Sequence, residues 1–326
     1  MKEFEITVSI SMVTYNHEKY IRQALDSILM QKVNFRYEIV VGDDCSSDET
    51  QNILKTYAQK NPDKFVLLLR QRNLGATNNY FDVIQHCRGK YIAFLEGDDF
   101  WTDENKLKTQ VEFLESNKSC DAVAHRHKIV DPDGDCKYLS HKKIEVEKYF
   151  NKKDALRYGP NLFHLNTLVY KNFFRGCADN YTIIRDSNQY GIHSLMIYLL
   201  ASRSDIYIMS RCMSAWRVVV SDEAHNYTSF VAKNPLLVKR NTLLMYFNFR
   251  NYFGTTYDFS KRITEAFIDT SICLLCSEEQ DKFKEINSHF KKLKIKERII
   301  LPQKIIRIFT PRKILKFIKR KYIGEN

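Results

Sequence analysis

The sequence predicts an α/β fold with a mostly parallel central sheet flanked by helices. Short apolar runs alternate with amphipathic helical segments through residues 1–100, in the order β-α-β-α-β-α-β. Because a helical crossover returns the chain parallel to the preceding strand, this order favours a parallel sheet with helices on both faces. Acidic residues follow two of the strands. The carboxyl ends of parallel strands meet at one edge of a sheet, where ligands bind.

The strands and helices of this region can be assigned one by one. The strands are expected at residues 6–13, 37–41, 65–69 and 91–95. The first helix presents an apolar face over residues 20–29, with Asn16 as its expected N-cap. Ser46 and Glu49 have the spacing of a capping box at the start of the second helix. A third helix is expected around residues 80–84.

Carboxylates cluster directly after two of these strands. Glu96, Asp98 and Asp99 follow the fourth strand with one glycine among them, and Asp43 and Asp44 follow the second strand. Carboxylates this close repel one another unless a cation lies among them, and their oxygens suit Mg²⁺ or Mn²⁺. The sequence therefore indicates a divalent-metal site that could bridge the phosphates of a nucleotide. The alternative is an acidic turn that caps the next helix.

Two common phosphate-binding motifs are absent from the sequence. It contains neither a Gly-x-x-x-x-Gly-Lys-Ser/Thr loop nor a Gly-x-Gly-x-x-Gly motif after the first strand. Without a glycine-rich loop to bind phosphate, a metal ion held by carboxylates is the simplest remaining way to neutralise a diphosphate.

Four groups of residues, taken in order, resemble the nucleotide-sugar half of bacterial family 2 glycosyltransferases. They are Val13-Thr14-Tyr15-Asn16, Asp43-Asp44, Arg72-Asn73-Leu74-Gly75 and Glu96-Gly97-Asp98-Asp99. The resemblance covers roughly residues 6–220. It implies a nucleotide-diphospho-sugar transferase-like fold, with a nucleotide-sugar half at residues 1–100 and an acceptor half at 101–220. It also implies inverting transfer, a UDP-sugar as the expected donor, and Mn²⁺ or Mg²⁺ as cofactor.

The resemblance also implies roles for individual residues. Tyr15 would lie against the nucleobase, Asp44 would accept a hydrogen bond from the N3–H of the base, and Glu96 would lie near the ribose or the metal. The implied metal ligand is Asp98, and the implied donor-binding residues are Thr14, Tyr15, Asp44, Arg72, Glu96 and Asp99. Structural alternatives remain, since Tyr15 could staple a helix and Asp44 could cap a loop.

The acceptor half departs from the family pattern at the catalytic base. Ile192 stands where family members carry the aspartate that deprotonates the acceptor hydroxyl. His193 is adjacent and Asp186 is nearby upstream, and either an imidazole or a carboxylate can accept a proton. The catalytic candidates are therefore His193 and Asp186, and loss of activity is a third possibility.

The positive charge of the chain is concentrated at its C-terminal end. Residues 291–326 contain 13 Lys and Arg against 2 acidic residues, a net charge of +11, whereas the whole chain carries +12. Apolar residues alternate with these cations, so we expect a basic amphipathic tail that binds an anionic membrane surface. Nucleic acid is the less favoured partner because few aromatic residues are available for stacking. A helical extension is expected at 221–290, after a glycosyltransferase domain at 1–220.

Taken together, the sequence predicts a glycosyltransferase that acts on a glycan or lipid-linked acceptor in bacterial surface polysaccharide biosynthesis. The alternatives are a nucleotidyltransferase and a non-catalytic protein that binds a nucleotide-sugar or a membrane surface. Eight irregularly spaced cysteines, no signal peptide and no long apolar run favour a cytoplasmic protein, peripheral at the inner face of the plasma membrane.

Overall fold

A computed structural model describes most of the chain. The described residues are 5–140, 144–175, 181–187, 192–219, 230–231, 233–279, 281–298 and 300–301. They belong to two compact units, residues 1–232 and 233–326. The sequence placed the first boundary at residue 220, so the first unit extends somewhat further than expected.

The first unit contains all of the strands in the described part of the chain. The strands are β1 (Val8–Thr14), β2 (Tyr37–Asp43), β3 (Phe65–Leu69), β4 (Tyr91–Glu96), β5 (Phe100–Trp101), β6 (Ala122–Val130), β7 (Cys136–Leu139), β8 (Lys148–Phe150), β9 (Val169–Lys171) and β10 (Ile206–Arg217). Its helices are α1 (Ile21–Leu29), α2 (Thr50–Lys60), α3 (Ala76–His86), α4 (Lys106–Ser116), α5 (Lys152–Tyr158), α6 (Ile183–Ser187) and α7 (Ile192–Arg203). The second unit contains α8 (Pro235–Phe253), α9 (Ser260–Leu275) and α10 (Lys282–Lys291).

The first four strands form the predicted parallel part of the sheet. They lie in the order β3-β2-β1-β4, joined by α1, α2 and α3, and all three pairings are parallel. The register pairs Thr14 of β1 with Asp43 of β2, and Val13 of β1 with Glu96 of β4. The ends of these strands are therefore level, which brings the polar residues that follow them to one edge of the sheet.

The other part of the sheet adds antiparallel strands to the predicted, mostly parallel arrangement. The order continues β4-β9-β6-β10-β5, and β9 runs antiparallel to both β4 and β6. β5, β7 and β8 also join by antiparallel pairing, and only β6 and β10 are parallel. A short 3₁₀ turn, Leu165–Thr167, leads into β9.

The predicted N-cap of α1 is wrong. The helix begins at Ile21, and Asn16 has a positive φ of 54° in the loop before it. The Asn16 side chain instead accepts a hydrogen bond from Ser47 N at 2.8 Å. The apolar face was predicted correctly, since Ile21, Leu25 and Ile28 are buried.

The predicted capping box of α2 is also wrong. The helix begins at Thr50, whose backbone N–H donates to Asp48 Oδ1 at 3.0 Å. The Ser46 hydroxyl donates to Asp43 instead of accepting from the first turn of the helix. The residues after β2 therefore stabilise a loop that packs against the end of β1, where Asn16 N donates to Ser46 Oγ.

The second unit is helical, as the sequence predicted. α8 packs against the residue that precedes α9, with ring centroids of Tyr246 and Phe259 6.0 Å apart. Glu297 is fully buried and accepts two hydrogen bonds from Arg250 at 2.9 and 2.8 Å. The predicted basic tail lies outside the described residues from position 302 onwards.

Within the described part of the chain, no helix combines the length and the apolar character needed to cross a bilayer.

Candidate active site

A cavity of about 1230 Å³ opens at the edge where β1, β2 and β4 end. Six of the nine site residues predicted from the sequence line it, namely Thr14, Tyr15, Asp44, Glu96, Asp98 and His193. Arg72 is exposed and not part of the lining, whereas Asp99 is buried and does not reach it. Asp186 belongs to α6, but its side chain lies outside the described part of the structure.

Asp44 holds the loop that closes one end of the cavity. Its two carboxylate oxygens accept hydrogen bonds from the backbone N–H groups of Leu74 and Gly75, at 2.7 and 2.9 Å. Burial raises the pKa of Asp44, although these two hydrogen bonds oppose the shift. Each carboxylate oxygen has a second lone pair, so Asp44 can hold this loop and still accept a hydrogen bond from a ligand.

His17 links the end of β1 to the acidic turn after β4. Its Nδ1 lies 3.1 Å from Thr14 Oγ1, and its Nε2 lies 3.8 Å from a carboxylate oxygen of Asp98. Gly97 permits this approach, because a Cβ there would lie 2.5 Å from Thr14 Oγ1 and 2.8 Å from His17 Nδ1. The glycine within the acidic run is therefore required by close packing.

The acidic turn, Glu96 to Asp99, brings three carboxylates together in a largely buried environment. Burial, and next the charge of Asp98, raises the pKa of Glu96 to about 8. Burial and then the charges of Asp98 and Glu96 raise the pKa of Asp99 well above its usual value. A cation among these carboxylates would offset both the repulsion and the loss of solvation.

The structure adds a histidine to the predicted metal site. One ligand atom each from Glu96, Asp99 and His164 all lie within 4.8 Å of one another. The sequence predicted Asp98 as the ligand, and its carboxylate belongs to the same turn but not to this group. Carboxylate oxygens and one imidazole nitrogen form a donor set that fits Mn²⁺ or Mg²⁺, and this chemistry supports a cation at the acidic turn.

Asp99 is held by a buried polar network. Its two oxygens accept hydrogen bonds from Asn166 Nδ2 at 2.8 Å and from the backbone N–H of Arg217 at 2.9 Å. Asn166 in turn accepts from Ser214 Oγ at 3.1 Å, and its carbonyl accepts from Trp101 Nε1 at 3.1 Å. The acidic turn is thereby fixed to β5, β10 and the 3₁₀ turn before β9.

Arg217 joins three parts of the site with one guanidinium group. It donates from Nε to the carbonyl of Asp98 at 3.0 Å, and from one terminal nitrogen to Gln23 Oε1 of α1 at 2.5 Å. The other terminal nitrogen donates to the carbonyls of Asp131 and Pro132, at 3.3 and 2.5 Å. The residue is 2% exposed, so these contacts replace the water that the cation loses on burial.

Three histidines and a tryptophan form a wall of the cavity. The ring of His164 stacks on Trp216 at 5.0 Å, and lies 5.4 Å from the rings of both His127 and His193. His193 Nε2 contacts the carbonyl of Phe163, which fixes that nitrogen as the protonated one. Burial lowers the pKa of His193 to about 4, so the imidazole is neutral at pH 7, with Nδ1 as its proton acceptor.

The sequence reading missed His17, His164, Asn166 and Arg217. His17 had a usable signal, since it lies three residues after Thr14 in a loop already assigned to the site. The other three residues lie more than sixty positions after the acidic turn. No local pattern marks them, because only the pairing of β9 and β10 into the sheet brings them to it.

Comparison with known proteins identifies the family. The family model described as Glycosyl transferase family 2 matches residues 9–174, which is more than half of the chain. The chain belongs to glycosyl transferase family 2. The matched residues include β1 from its second residue onwards and β2 to β9, and with them every donor-site residue named from the resemblance.

Curated relatives include an uncharacterized protein of Mycobacterium tuberculosis, 40% identical over 127 residues, which are 39% of this chain and 37% of that protein. The chain therefore matches little more than a third of the length of this relative. A putative teichuronic acid biosynthesis glycosyltransferase of Bacillus subtilis is 26% identical over 239 residues, covering 69% of this chain and 84% of that protein.

Solved structures share the fold. The Staphylococcus aureus protein TarS, residues 1–349 in complex with UDP, superposes with a TM-score of 0.53 at 17% sequence identity, covering 93% of this chain and 91% of that chain. The same TarS fragment in complex with UDP-GlcNAc gives a TM-score of 0.52. The likeness establishes a mixed α/β fold with a central sheet flanked by helices, as the sequence predicted.

Proposed function

We propose that the chain is an inverting glycosyltransferase that transfers a sugar from a nucleotide-diphospho-sugar to a hydroxyl group of a glycan or lipid-linked acceptor. The observation that carries this proposal is the convergence of Tyr15, Asp44 and the acidic turn on one cavity at the carboxyl edge of the parallel strands. This convergence supports a site in which Tyr15 and Asp44 would bind the base and the acidic turn would bind the diphosphate.

The relatives support the choice of donor and pathway. TarS has been solved with UDP and with UDP-GlcNAc, which favours a UDP-sugar as the donor here. The Bacillus subtilis relative is described as acting in teichuronic acid biosynthesis, which favours a role in building a bacterial surface polysaccharide.

We assign the metal to the acidic turn. Glu96, Asp98 and Asp99, with His164, are the residues that would hold Mn²⁺ or Mg²⁺ there. When bound, the cation would neutralise the diphosphate and stabilise the charge that develops as the nucleoside diphosphate leaves. His17 and Arg217 both contact Asp98, His17 at its carboxylate and Arg217 at its carbonyl, and so support the turn.

The acceptor hydroxyl must lose a proton as it attacks. Its oxygen forms a bond to the anomeric carbon while the bond from that carbon to the diphosphate breaks on the opposite face. We propose His193 as the group that takes the proton on Nδ1, because its Nε2 is occupied by the carbonyl of Phe163 and its ring lines the cavity. A base with a pKa near 4 is weak, so Asp186 stays as the alternative.

We also propose that the protein docks on the inner face of the plasma membrane through its basic tail. The described part of that region supports the idea, since Ile295 is 77% exposed between Lys294 and Lys296. An exposed apolar side chain flanked by cations is the pattern expected for contact with anionic lipid.

Product analysis with a panel of nucleotide-sugars tests the proposed activity. The protein would be incubated with each donor and Mn²⁺, with and without acceptor extracts, and the products separated. Release of a nucleoside diphosphate with sugar transferred is the expected result. Release of pyrophosphate would instead identify a nucleotidyltransferase, and binding without any turnover would identify a non-catalytic nucleotide-sugar protein.

A further inference from the structure

The cavity extends well beyond the donor-binding residues. In the order of the sheet, β1 and β2 lie on one side of β4, whereas β9 and β6 lie on the other. Tyr15 and Asp44 belong to the first side. The wall on the second side is built by β6, by β7, which pairs with it, and by α5 and the turn that follows. This second wall, which we call the far wall, is where an acceptor would approach the donor sugar.

The far wall is mainly apolar, and part of it is exposed. Its apolar lining residues are Ile129, Tyr138, Leu139, Ile144, Tyr158 and Pro160. Tyr138 is 54% exposed and Leu139 is 44% exposed, although both are large side chains on a short edge strand. Adjacent exposed apolar residues on an edge strand favour aggregation unless something covers them.

The negative charge of the cavity lies on the side of the acidic turn, together with the buried cation Arg217. The acidic residues in its described lining, Asp44, Glu96 and Asp98, lie at the ends of β2 and β4. The far wall carries instead the exposed cation Arg157, on α5. An apolar surface with a cation at its margin is complementary to a molecule that joins an apolar chain to an anionic group.

We propose that the far wall binds the apolar carrier of the acceptor, and that the acceptor is a saccharide joined through phosphate to a hydrocarbon chain. Tyr138 and Leu139 contact the chain, and Arg157 pairs with the phosphate. This inference rests on the proposed function and narrows it from any glycan or lipid-linked acceptor to an amphipathic one. A polymer that is hydrophilic throughout would leave the exposed apolar pair uncovered.

Binding of simple carrier analogues tests the proposal without knowledge of the acceptor sugar. Decyl diphosphate, below its micellar concentration, would be titrated into the intact protein with Mn²⁺ and a mixture of nucleoside diphosphates that occupies the donor side. Inorganic diphosphate would be titrated in parallel. Each methylene group that becomes buried contributes about a fourfold gain in affinity, so decyl diphosphate should bind at least about tenfold more tightly even if few methylenes are covered.

The variants locate the binding. Tyr138→Ser combined with Leu139→Ser should lower the affinity for decyl diphosphate about tenfold, and Arg157→Gln should lower it several-fold. Tyr149→Ser is the matched control, because Tyr149 is an aromatic residue, 44% exposed on the edge strand β8, and does not line the cavity. Thermal unfolding of each variant would check that the fold is kept.

Two results of these titrations would overturn the inference: equal affinity for the two diphosphates, or a double variant that binds decyl diphosphate as the wild-type protein does. Failure of the proposed function would look different. In that case no nucleotide-sugar would bind in the presence of Mn²⁺, which a separate titration of the donors measures. Donor binding with transfer only to water-soluble glycans would retain the proposed function and reject the apolar carrier.

Discussion

Asp98 and Asp103 are separated by four residues and equally accessible, with 14% of each side chain exposed. Asp98 lines the cavity, whereas Asp103 forms an ion pair with Arg211 at 2.6 Å. We predict that Asp98→Asn lowers the Mn²⁺-dependent affinity for the nucleotide-sugar by about 100-fold or more. Mutating even a residue that only hydrogen-bonds to a metal ligand typically lowers metal affinity or activity by about 10- to 100-fold. In EDTA the same variant should melt at a higher temperature than the wild-type protein, because the charge of Asp98 helps to raise the pKa of Glu96.

Asp103→Asn is the control for that comparison. It should leave donor affinity unchanged and lower the melting temperature slightly. Wild-type donor affinity in Asp98→Asn, measured by titration calorimetry with Mn²⁺, would remove Asp98 from the metal site.

The lowered pKa of His193 makes the stability of the protein depend on pH, and the direction of this dependence follows from the shift. Its pKa falls from the usual 6.5 to about 4 in the folded protein because of burial. The unfolded chain therefore binds a proton at His193 more tightly than the folded chain does. The stability linked to this residue is fully present above pH 6.5 and is lost as the pH falls towards 4, by at most about 3 kcal/mol, since one pKa unit corresponds to about 1.4 kcal/mol.

His193→Gln should remove this contribution while its amide still donates to the carbonyl of Phe163. We expect the free energy of unfolding, from urea titrations at pH 7.5 and pH 5, to fall less on acidification in the variant than in the wild-type protein. If His193 is the proton acceptor, transfer should also slow by roughly 10²- to 10⁴-fold with donor binding retained. An unchanged rate would move the role to Asp186 or elsewhere.

The sequence identified site residues correctly where a polar or acidic side chain stands at the end of a predicted strand. Thr14 and Glu96 end β1 and β4, Asp44 directly follows β2, and parallel strands must bring their carboxyl ends together. His164 lacks any such marker. It reaches Glu96 only because β9 inserts between β4 and β6, a pairing that joins residues nearly eighty positions apart.

At the level of elements, β10 supports the acidic turn through hydrogen bonds. Its last residue, Arg217, donates to the carbonyl of Asp98 and to Gln23 of α1. We predict that Arg217→Met destabilises the protein by about 2–4 kcal/mol, because it leaves several buried carbonyl groups without a donor. It should also weaken Mn²⁺-dependent donor binding at a temperature where the variant is folded, since the turn loses one of its supports.

Arg211→Met, on the same strand, is the matched control. Arg211 is 51% exposed and paired with Asp103, and such surface pairs contribute roughly 0–1 kcal/mol. Urea unfolding and Mn²⁺ titration of both variants would test the prediction. Equal losses of stability, with donor binding unchanged in both, would show that Arg217 has no positioning role.

The elements themselves were predicted more accurately than their starts. The first four strands lie within two residues of their expected bounds, and the apolar spacing of α1 identified its buried face. The starts of α1 and α2 were misplaced because Asn16 and Ser46 bond to each other across two loops, thirty residues apart in the chain. Capping rules consider only neighbours in sequence. They therefore predict such polar residues to be N-caps of the next helix, even when these residues bond to a distant loop.

At the scale of the whole molecule, the two units differ in charge and in the site residues that they contain. The site residues all belong to residues 1–232, whereas the excess positive charge begins at residue 291. The structure also defines where the tail can be removed. Truncation before Glu297 would remove the buried partner of Arg250, whose own side chain is 14% exposed, and breaking a buried ion pair costs about 3–5 kcal/mol.

A truncation after Leu301 keeps Glu297 and removes residues 302–326, which contain 8 Lys and Arg against 1 acidic residue, a net charge of +7. We predict that the full chain floats with vesicles containing anionic lipid and that the truncated chain binds them at least tenfold less, since each nearby cation contributes about 1 kcal/mol. Donor binding should be unchanged, because the residues assigned to the donor and the metal all lie before position 218. Salt should weaken vesicle binding of the full chain, as screening shortens the reach of the lysines to about 8 Å at physiological ionic strength.

Salt sensitivity alone does not separate a membrane from nucleic acid, because binding to either depends on the same lysines and arginines. The flotation assay is therefore paired with a titration of a non-specific DNA duplex at the same ionic strength. Neutral vesicles serve as the lipid control, since a tail that inserts only through its apolar residues would bind them equally well. Docking on anionic membrane predicts flotation with anionic vesicles, little with neutral ones and weak duplex binding. Flotation that survives the truncation, or tight duplex binding without flotation, would reject the membrane role of the tail.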